Sequence, residues 1–359
     1  MAPTALGAAA GDVAPAPVAS VLIVDDSIVA RAAIARIIDG TDRFMVAGSV
    51  GSIRAALAFL DRHRVDVILL DLELPGIDGL TGLPDLLASG RGAKVLVVSA
   101  AAGDGATATI QALALGAADT LVKPAIGSGG RRFAELLEER LSRLCDAMPP
   151  AAATASSEEA ATPLPQVGPF DIVAIGASTG GIHALSALLR AVPPNFELPI
   201  LITQHLPASF MPYFAAQLAV LAGRPCDVAE NHMRVRPGRL LIAPGDAHLR
   251  LARVSGGASV RLTHESVASG CTPSVDPMFE SVAEVFGARA LAVVLSGMGR
   301  DGSIGARRLQ ATGAPIVVQD RRSSVVWGMP GAVAGAGSAT AILPPDAIGR
   351  LIATRGARP

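Results

Sequence analysis

Aromatic residues make up only 3% of these 359 residues, while hydrophobic residues make up 50%. The cores must therefore be packed from Ala, Val, Leu and Ile, as in parallel sheets covered by helices. Cysteine is scarce too: Cys145, Cys226 and Cys271 lie far apart, with no C-x-x-C spacing. That disfavours a disulfide framework or a structural zinc and suits a reducing cytosol. Long apolar runs are missing in spite of a mean hydropathy of +0.47. Stretches such as Val67–Leu70 and Leu291–Leu295 are strand-length and end in polar residues, whereas a spanning helix needs about 20 apolar residues. No membrane insertion is expected. The net charge is −1 without a basic stripe, so nucleic acid is not an expected partner. The first thirty residues hold no Lys or Arg, so the Ala/Pro leader over 1–19 lacks the charged start of a signal peptide. It reads as a disordered tail on a soluble, cytoplasmic protein whose length suffices for two domains.

What is present is a run of short apolar strands alternating with helical periods. Val21–Val24 ends in Asp25-Asp26, Val65–Leu70 in Asp71, Val95–Val98 in Ser99, and Thr120–Val122 in Lys123-Pro124, with a further strand at Val46–Ser49. Helices are expected over Ile28–Ile38, Ile53–His63, Leu80–Ser89, Thr109–Leu115 and Arg131–Leu144. Five βα units predict a doubly wound parallel sheet. Asp25, Asp26, Asp71, Ser99 and Lys123 all fall at carboxyl ends of strands, where open α/β sheets bind ligands. Three carboxylates can hold Mg²⁺ through oxygen. A metal beside Asp71 would screen an incoming phosphoryl group and let the carboxylate attack phosphorus. Ser99 can hydrogen-bond one phosphoryl oxygen and Lys123 can neutralise another. Each residue alone is more often a cap or a solvated charge; five in register at strand ends are not.

These residues carry a resemblance. Val24-Asp25-Asp26-Ser27, Asp71-Leu72-Glu73-Leu74-Pro75-Gly76-Ile77-Asp78-Gly79, Ser99-Ala100 and Lys123-Pro124 make residues 20–145 similar to a response-regulator receiver domain, a flavodoxin-like fold. The resemblance implies phosphorylation of Asp71 by a partner histidine kinase, Mg²⁺ held by Asp25, Asp26 and Asp71, and a cis Lys123–Pro124 bond. Receivers often carry an aromatic switch residue three positions before the lysine; here Thr120 stands there.

Residues 146–168 hold Pro149-Pro150, an Ala/Ser/Thr run and Pro163-Leu164-Pro165, which reads as a flexible linker between separately folding halves. Beyond it, Ile172–Ile175 is a buried strand, and Gly176-Ala177-Ser178-Thr179-Gly180 fits G-x-S-x-G before a helical period over Ile182–Leu189. Such a turn suits a nucleophile, a phosphate cradle, or simply a capped βα turn. Further strands are expected at Pro199–Thr203, Asp227–Glu230, Arg239–Ala243, Leu291–Leu295 and Pro315–Gln319, with a hairpin of Leu249–Arg253 and Ser259–Thr263. Helices are expected over Ser209–Leu221, Val275–Phe286, Ile304–Ala311 and 345–353.

A dinucleotide site wants an acidic residue at the end of the next strand, but Gln204-His205 stands there, and no lysine occurs in this half. The hydrolase reading gains instead. Ser178, His205 and Asp301 follow three different strands, so one sheet edge can assemble a nucleophile, a base and the carboxylate that orients it. His183, expected five residues past Ser178 on the same helix and facing elsewhere, His232, His248 and His264 are rival bases; Asp246 and Asp320 are rival acids.

This half, 169–355, resembles the catalytic domain of the CheB family of chemotaxis protein-glutamate methylesterases, a Rossmann-like α/β domain. The matching residues are Ile175 to Gly181, Gln204-His205-Leu206-Pro207 with Phe210, Ala243-Pro244-Gly245 with His248, and Pro273-Ser274-Val275-Asp276. Ser296-Gly297-Met298-Gly299-Arg300-Asp301-Gly302 and Val326-Trp327-Gly328-Met329-Pro330 complete them. The resemblance implies a triad of Ser178, His205 and Asp301, with the Met298 backbone as oxyanion donor. It implies a phosphorylation-activated esterase, with no cofactor of its own, that demethylates glutamyl methyl esters and deamidates glutamines on methyl-accepting chemoreceptors. Thr272 stands where an arginine is common, and Arg321-Arg322 where an acidic residue is usual. The alternative is a receiver-gated binding module without catalysis.

Overall fold

The computed structural model of the chain describes residues 18–99, 104–123, 130–146 and 168–355. Residues 1–17 of the leader, Pro124 with the Lys123–Pro124 bond, and residues 147–167 of the linker lie outside the described residues, while Ala19, expected in the leader, opens the first strand and Asp146, expected in the linker, closes the fifth helix.

The N-terminal half runs β1 (Ala19–Val24), α1 (Ile28–Asp39), β2 (Phe44–Val50), α2 (Ile53–Leu60), β3 (Val67–Leu70) and α3 (Gly79–Ser89). It continues with β4 (Lys94–Ser99), α4 (Asp104–Leu115), β5 (Asp119–Val122) and α5 (Gly130–Asp146). Its five strands pair in parallel in the order β2-β1-β3-β4-β5. β3 is buried along its whole length, as expected of a strand covered on both faces. Helix starts are set locally: Ser27, Ser52 and Asp78 accept hydrogen bonds from backbone N–H groups in the first turns of α1, α2 and α3, satisfying donors that have no intrahelical partner.

The C-terminal half holds β6 (Ile172–Ala177), α6 (Gly181–Arg190), β7 (Ile200–Gln204), α7 (Met211–Ala222), β8 (Cys226–Val228), β9 (Leu240–Ile242), β10 (His248–Val254) and β11 (Gly257–Thr263). Then come α8 (Val275–Phe286), β12 (Ala290–Val294), α9 (Ser303–Ala311), β13 (Ile316–Gln319), α10 (Gly328–Gly335), β14 (Ala341–Leu343) and α11 (Pro345–Arg355). The parallel sheet has the order β14-β13-β12-β6-β7-β9-β8, with β10 and β11 as a separate antiparallel hairpin. The two-domain α/β expectation holds. Helix α10 and strand β14 were not among the expected elements. The α10 sequence GMPGAVAG is rich in poor helix formers, and β14 is three residues long.

Both sheets reverse their direction of growth at one point, between β1 and β3 in the first and between β6 and β12 in the second. The carboxyl ends of strands at such a switch point leave a crevice that connections do not cover. One apolar core runs from the β1, β3 and β4 face of the first sheet, through α4, to α6, α7 and the β6/β7 face of the second. The halves are therefore packed on each other. Among the described residues no helix is long and apolar enough to cross a membrane.

Candidate active site

Ser178 follows β6, His205 follows β7 and Asp301 lies in the loop after β12, so three adjacent strands deliver them to the switch point. His205 Nδ1 lies 3.1 Å from Ser178 Oγ, and its Nε2 lies 2.8 Å from Asp301 Oδ2. An ionised carboxylate can only accept, so the ring proton sits on Nε2 and the Nδ1 lone pair faces the serine hydroxyl. This is the tautomer a general base requires. Asp301 is 1% exposed. Burial pushes its carboxyl up, but hydrogen bonds from His205, Ser274 Oγ (2.6 Å) and Val275 N (2.8 Å) outweigh it and bring it to about 2. The carboxylate therefore stays ionised and oriented.

A second set of residues holds the loop that holds Asp301. Ser274 N donates to His248 Nδ1 at 3.0 Å, leaving His248 Nε2 to donate to the Glu265 carbonyl at 2.9 Å. His248 is thus a neutral, buried support of the Ser274 turn rather than a base. Asp276 Oδ1 accepts from Ile304 N (3.0 Å) and Gly305 N (2.8 Å), capping α9 just past Asp301. Burial, with Asp301 next to it, pushes the Asp276 carboxyl up to about 6. The sequence places Ser274 and Asp276 in a motif but gives them no role, because their contacts join distant segments.

The remaining rivals are placed elsewhere. Ser178 precedes the helix, which starts at Gly181, so His183 does not share a helix with it. His183 Nδ1 instead meets the Ala114 carbonyl of the first domain at 3.1 Å. His232 and His264 are exposed. Asp320 accepts from Ser323 N and Oγ in its own turn, and Asp246 is exposed.

The backbone around Ser178 is tightly committed. Ser178 N donates to Ser296 O at 3.0 Å, and Gly181 N donates to Ser178 O at 2.7 Å. The Met298 N–H, by contrast, donates to no group among the described residues. Gly297 brings that turn against Ser178: a Cβ there would lie 2.8 Å from Ser178 Cβ and 2.4 Å from Met329 Sδ. Gly180 has φ +75° and caps α6; a Cβ would overlap Val325 at 2.4 Å. Only glycine meets both demands.

At the first domain's switch point, Asp25 and Asp71 are buried and Asp26 is exposed, and the three offer oxygens within 4.8 Å of one another. Lys123 Nζ lies 2.6 Å from Asp71 Oδ2 and 2.8 Å from Asp25 Oδ2. Burial pushes the Asp71 carboxyl up, against the pull of Lys123. For Lys123, burial pushes down but the two carboxylates prevail and raise it. Ser99 is turned onto α4. Thr109 Oγ1 donates to Gly105 O at 2.7 Å, so Ser99 Oγ donates to Thr109 Oγ1 at 2.6 Å. The Thr120 hydroxyl is buried and has no partner among the described residues.

The domains meet at the Ser178 turn. Gly180 N donates to Ala118 O at 2.8 Å, and Thr179 Oγ1 donates to Asp119 Oδ2 at 3.0 Å. Asp119 also accepts from Arg140 at 2.7 Å. A shallow crevice between them is lined by Asp119 and Arg140 on one side and by Ser178, Thr179, Gln204 and His205 on the other.

Residues 21–128 match the response regulator receiver domain family, and residues 173–352 match the CheB methylesterase family. The chain is 38% identical over 352 residues to protein-glutamate methylesterase/protein-glutamine glutaminase 1 of Paramagnetospirillum magneticum, covering 90% of this chain and 92% of that one. It is 40% identical to protein-glutamate methylesterase/protein-glutamine glutaminase 2 of Caulobacter vibrioides, covering 93% and 98%. The crystal structure of the Thermotoga maritima CheB methylesterase catalytic domain superposes with a TM-score of 0.50 at 34% identity, covering 52% of this chain and 98% of that one. With both halves matched in chain order and such relatives covered almost end to end, the chain belongs to the CheB methylesterase family.

Proposed function

We propose that the protein is a phosphorylation-controlled protein-glutamate methylesterase and protein-glutamine deamidase acting on methyl-accepting chemoreceptors. The observation that carries the chemistry is the unbroken Ser178–His205–Asp301 chain of hydrogen bonds. In this reading Ser178 Oγ attacks the γ-carbonyl of a glutamyl methyl ester while His205 Nδ1 takes its proton. The free Met298 N–H stabilises the oxyanion. The imidazolium, held by Asp301, then protonates departing methoxide. Water attacks the acyl-enzyme by the same route in reverse and releases glutamate; with a glutamine side chain the leaving group is ammonia.

Control rests on the packing of the first domain against the Ser178 turn. The oxygens of Asp25, Asp26 and Asp71 form a hard, anionic donor set within 4.8 Å, which fits Mg²⁺. When bound, the ion would neutralise charge around Asp71 as a histidine kinase supplies the phosphoryl group. Lys123 would then pair with a phosphoryl oxygen. Ser99 would exchange Thr109 for another, which couples Asp71 to α4, a helix packed on α6 and α7. Loss of that packing would open the crevice, a shift in a docking equilibrium. Thr120 in the switch position leaves α4 as the route for the signal.

The test is methanol release from methylated receptor by the full chain, with and without a small phosphodonor. Ser178→Ala should reduce release to the uncatalysed rate; release at the wild-type rate would remove the nucleophile assignment.

A further inference from the structure

Cys271 takes no part in the esterase chemistry, yet its thiol stands beside the triad. Its Sγ, a ring nitrogen of His205 and a carboxylate oxygen of Asp301 all lie within 4.8 Å of one another. We propose that these three side chains form a Zn²⁺ site, through which zinc switches the esterase off.

The donor set is one sulfur, one imidazole nitrogen and one carboxylate oxygen. It suits zinc rather than the hard magnesium ion that the all-oxygen cluster at Asp71 fits. Bonds of 2.0–2.3 Å around a tetrahedral ion place ligands about 3.3–3.8 Å apart. His205 Nε2 and Asp301 Oδ2 are already 2.8 Å apart, so the pair need only part slightly. Cys271 must close most of the remaining distance, and it is placed to do so. It lies in the irregular stretch 264–274 between β11 and α8, and among the described residues its Sγ makes one hydrogen bond, a long one of 3.7 Å to Ser269 O, with the charges of Arg143 and Asp276 also acting on it. Asp301 is oriented from behind by Ser274 Oγ and Val275 N, the kind of outer support that metal-bound carboxylates have. The His205 side chain is 18% exposed, which leaves its ring within reach of an arriving ion, and a water would complete the tetrahedron.

The proton balance explains the inhibition. An ordinary thiol is protonated at neutral pH, so Cys271 keeps its proton until the metal arrives. On binding, the thiol releases its proton to solvent. His205 bonds the ion through Nε2, and the ring proton moves from Nε2 to Nδ1. Nδ1 then faces Ser178 as a donor and cannot accept the hydroxyl proton. No redox step is involved.

Metal binding does not depend on the esterase assignment; the inhibition rests on His205 being the base. The experiment separates the two. The full chain is titrated with Co²⁺ as a spectroscopic stand-in and with Zn²⁺ by calorimetry, in wild type and in Cys271→Ser, Cys226→Ser and Ser178→Ala. Wild type, Cys226→Ser and Ser178→Ala should each show a thiolate-to-cobalt charge-transfer band. Cys271→Ser should lose the band and bind Zn²⁺ at least tenfold more weakly. In the methanol assay Zn²⁺ should inhibit wild type, EDTA should restore it, and Cys271→Ser should need at least tenfold more Zn²⁺. Absence of the band from wild type, its persistence in Cys271→Ser, or its loss in Cys226→Ser overturns the site. A band with no inhibition of methanol release overturns the switch but leaves the site. Methanol release absent even without Zn²⁺ counts against the esterase reading alone.

Discussion

The two sites occupy the same place in two sheets of similar design, and they handle charge in opposite ways. At the first switch point two buried carboxylates and one exposed carboxylate crowd together, and a single lysine bridges Asp25 and Asp71. Burial raises the Asp71 carboxyl, so the cluster favours arriving positive charge. At the second, one buried carboxylate is fully hydrogen-bonded and brought down to about 2. Nothing needs to arrive for Asp301 to be ionised and aimed. An open charge cluster suits a site that must be rewritten by a phosphoryl group, whereas a satisfied one suits a site that must be identical in every turnover.

The sharpest break of this comparison is Asp301→Asn. An amide cannot enforce the Nε2–H tautomer, and loss of tautomer control costs a serine hydrolase about 10⁴ in kcat. Steady-state methanol release should fall by about that factor; a loss under tenfold would mean that His205 is oriented by something else. Next is Asp71→Asn, which should leave basal release in place and abolish its increase with phosphodonor, measured in the same assay. Stimulation that survives would place the switch outside this carboxylate.

A smaller effect is expected where the sites touch. Asp119→Ala removes the Thr179 hydrogen bond across the interface and, within the first domain, the Arg140 ion pair beside it. A hydrogen bond contributes about 0.5–1.5 kcal/mol, so unstimulated release should rise by about 2- to 10-fold and stimulation should shrink accordingly. Unchanged basal release would mean that these contacts do not hold the domains together.

The smallest effect concerns stability, at Asp276. Its native carboxyl stands at about 6 against 3.8 ordinarily. Between these values the native state holds a proton that the unfolded chain releases, so stability falls as pH rises across that window. Asp276→Asn keeps an acceptor for Ile304 N and Gly305 N and removes the titration. At pH 7 it should unfold at higher urea, by ~1–3 kcal/mol, and the difference should vanish near pH 4. Equal midpoints at pH 7 would show that Asp276 carries no such penalty.

Much of this was legible in the sequence because the signals are local. Runs such as Ile172–Ile175 or Leu291–Leu295 are buried strands wherever they pair, and a polar residue ending such a run must sit at a sheet edge. That logic reaches Asp25, Asp71, Ser178, His205 and Asp301. It fails for α10, whose glycines and proline oppose a helix. There tertiary contact prevails: Met329 N donates to Gly297 O at 2.8 Å, and Met329 is fully buried.

By itself the sequence determined the strand and helix alternation, the two sheets and the residue types at their carboxyl ends, since periodicity and caps are read within a dozen residues. Only the tertiary structure decided what those residues do to one another. It made His248 a prop for the Ser274 turn, turned Ser99 onto Thr109, set Asp119 against Thr179 and placed the Cys271 thiol beside His205. These contacts join segments far apart in the chain, and their geometry depends on how the two sheets and their helices pack. No local pattern encodes that distance.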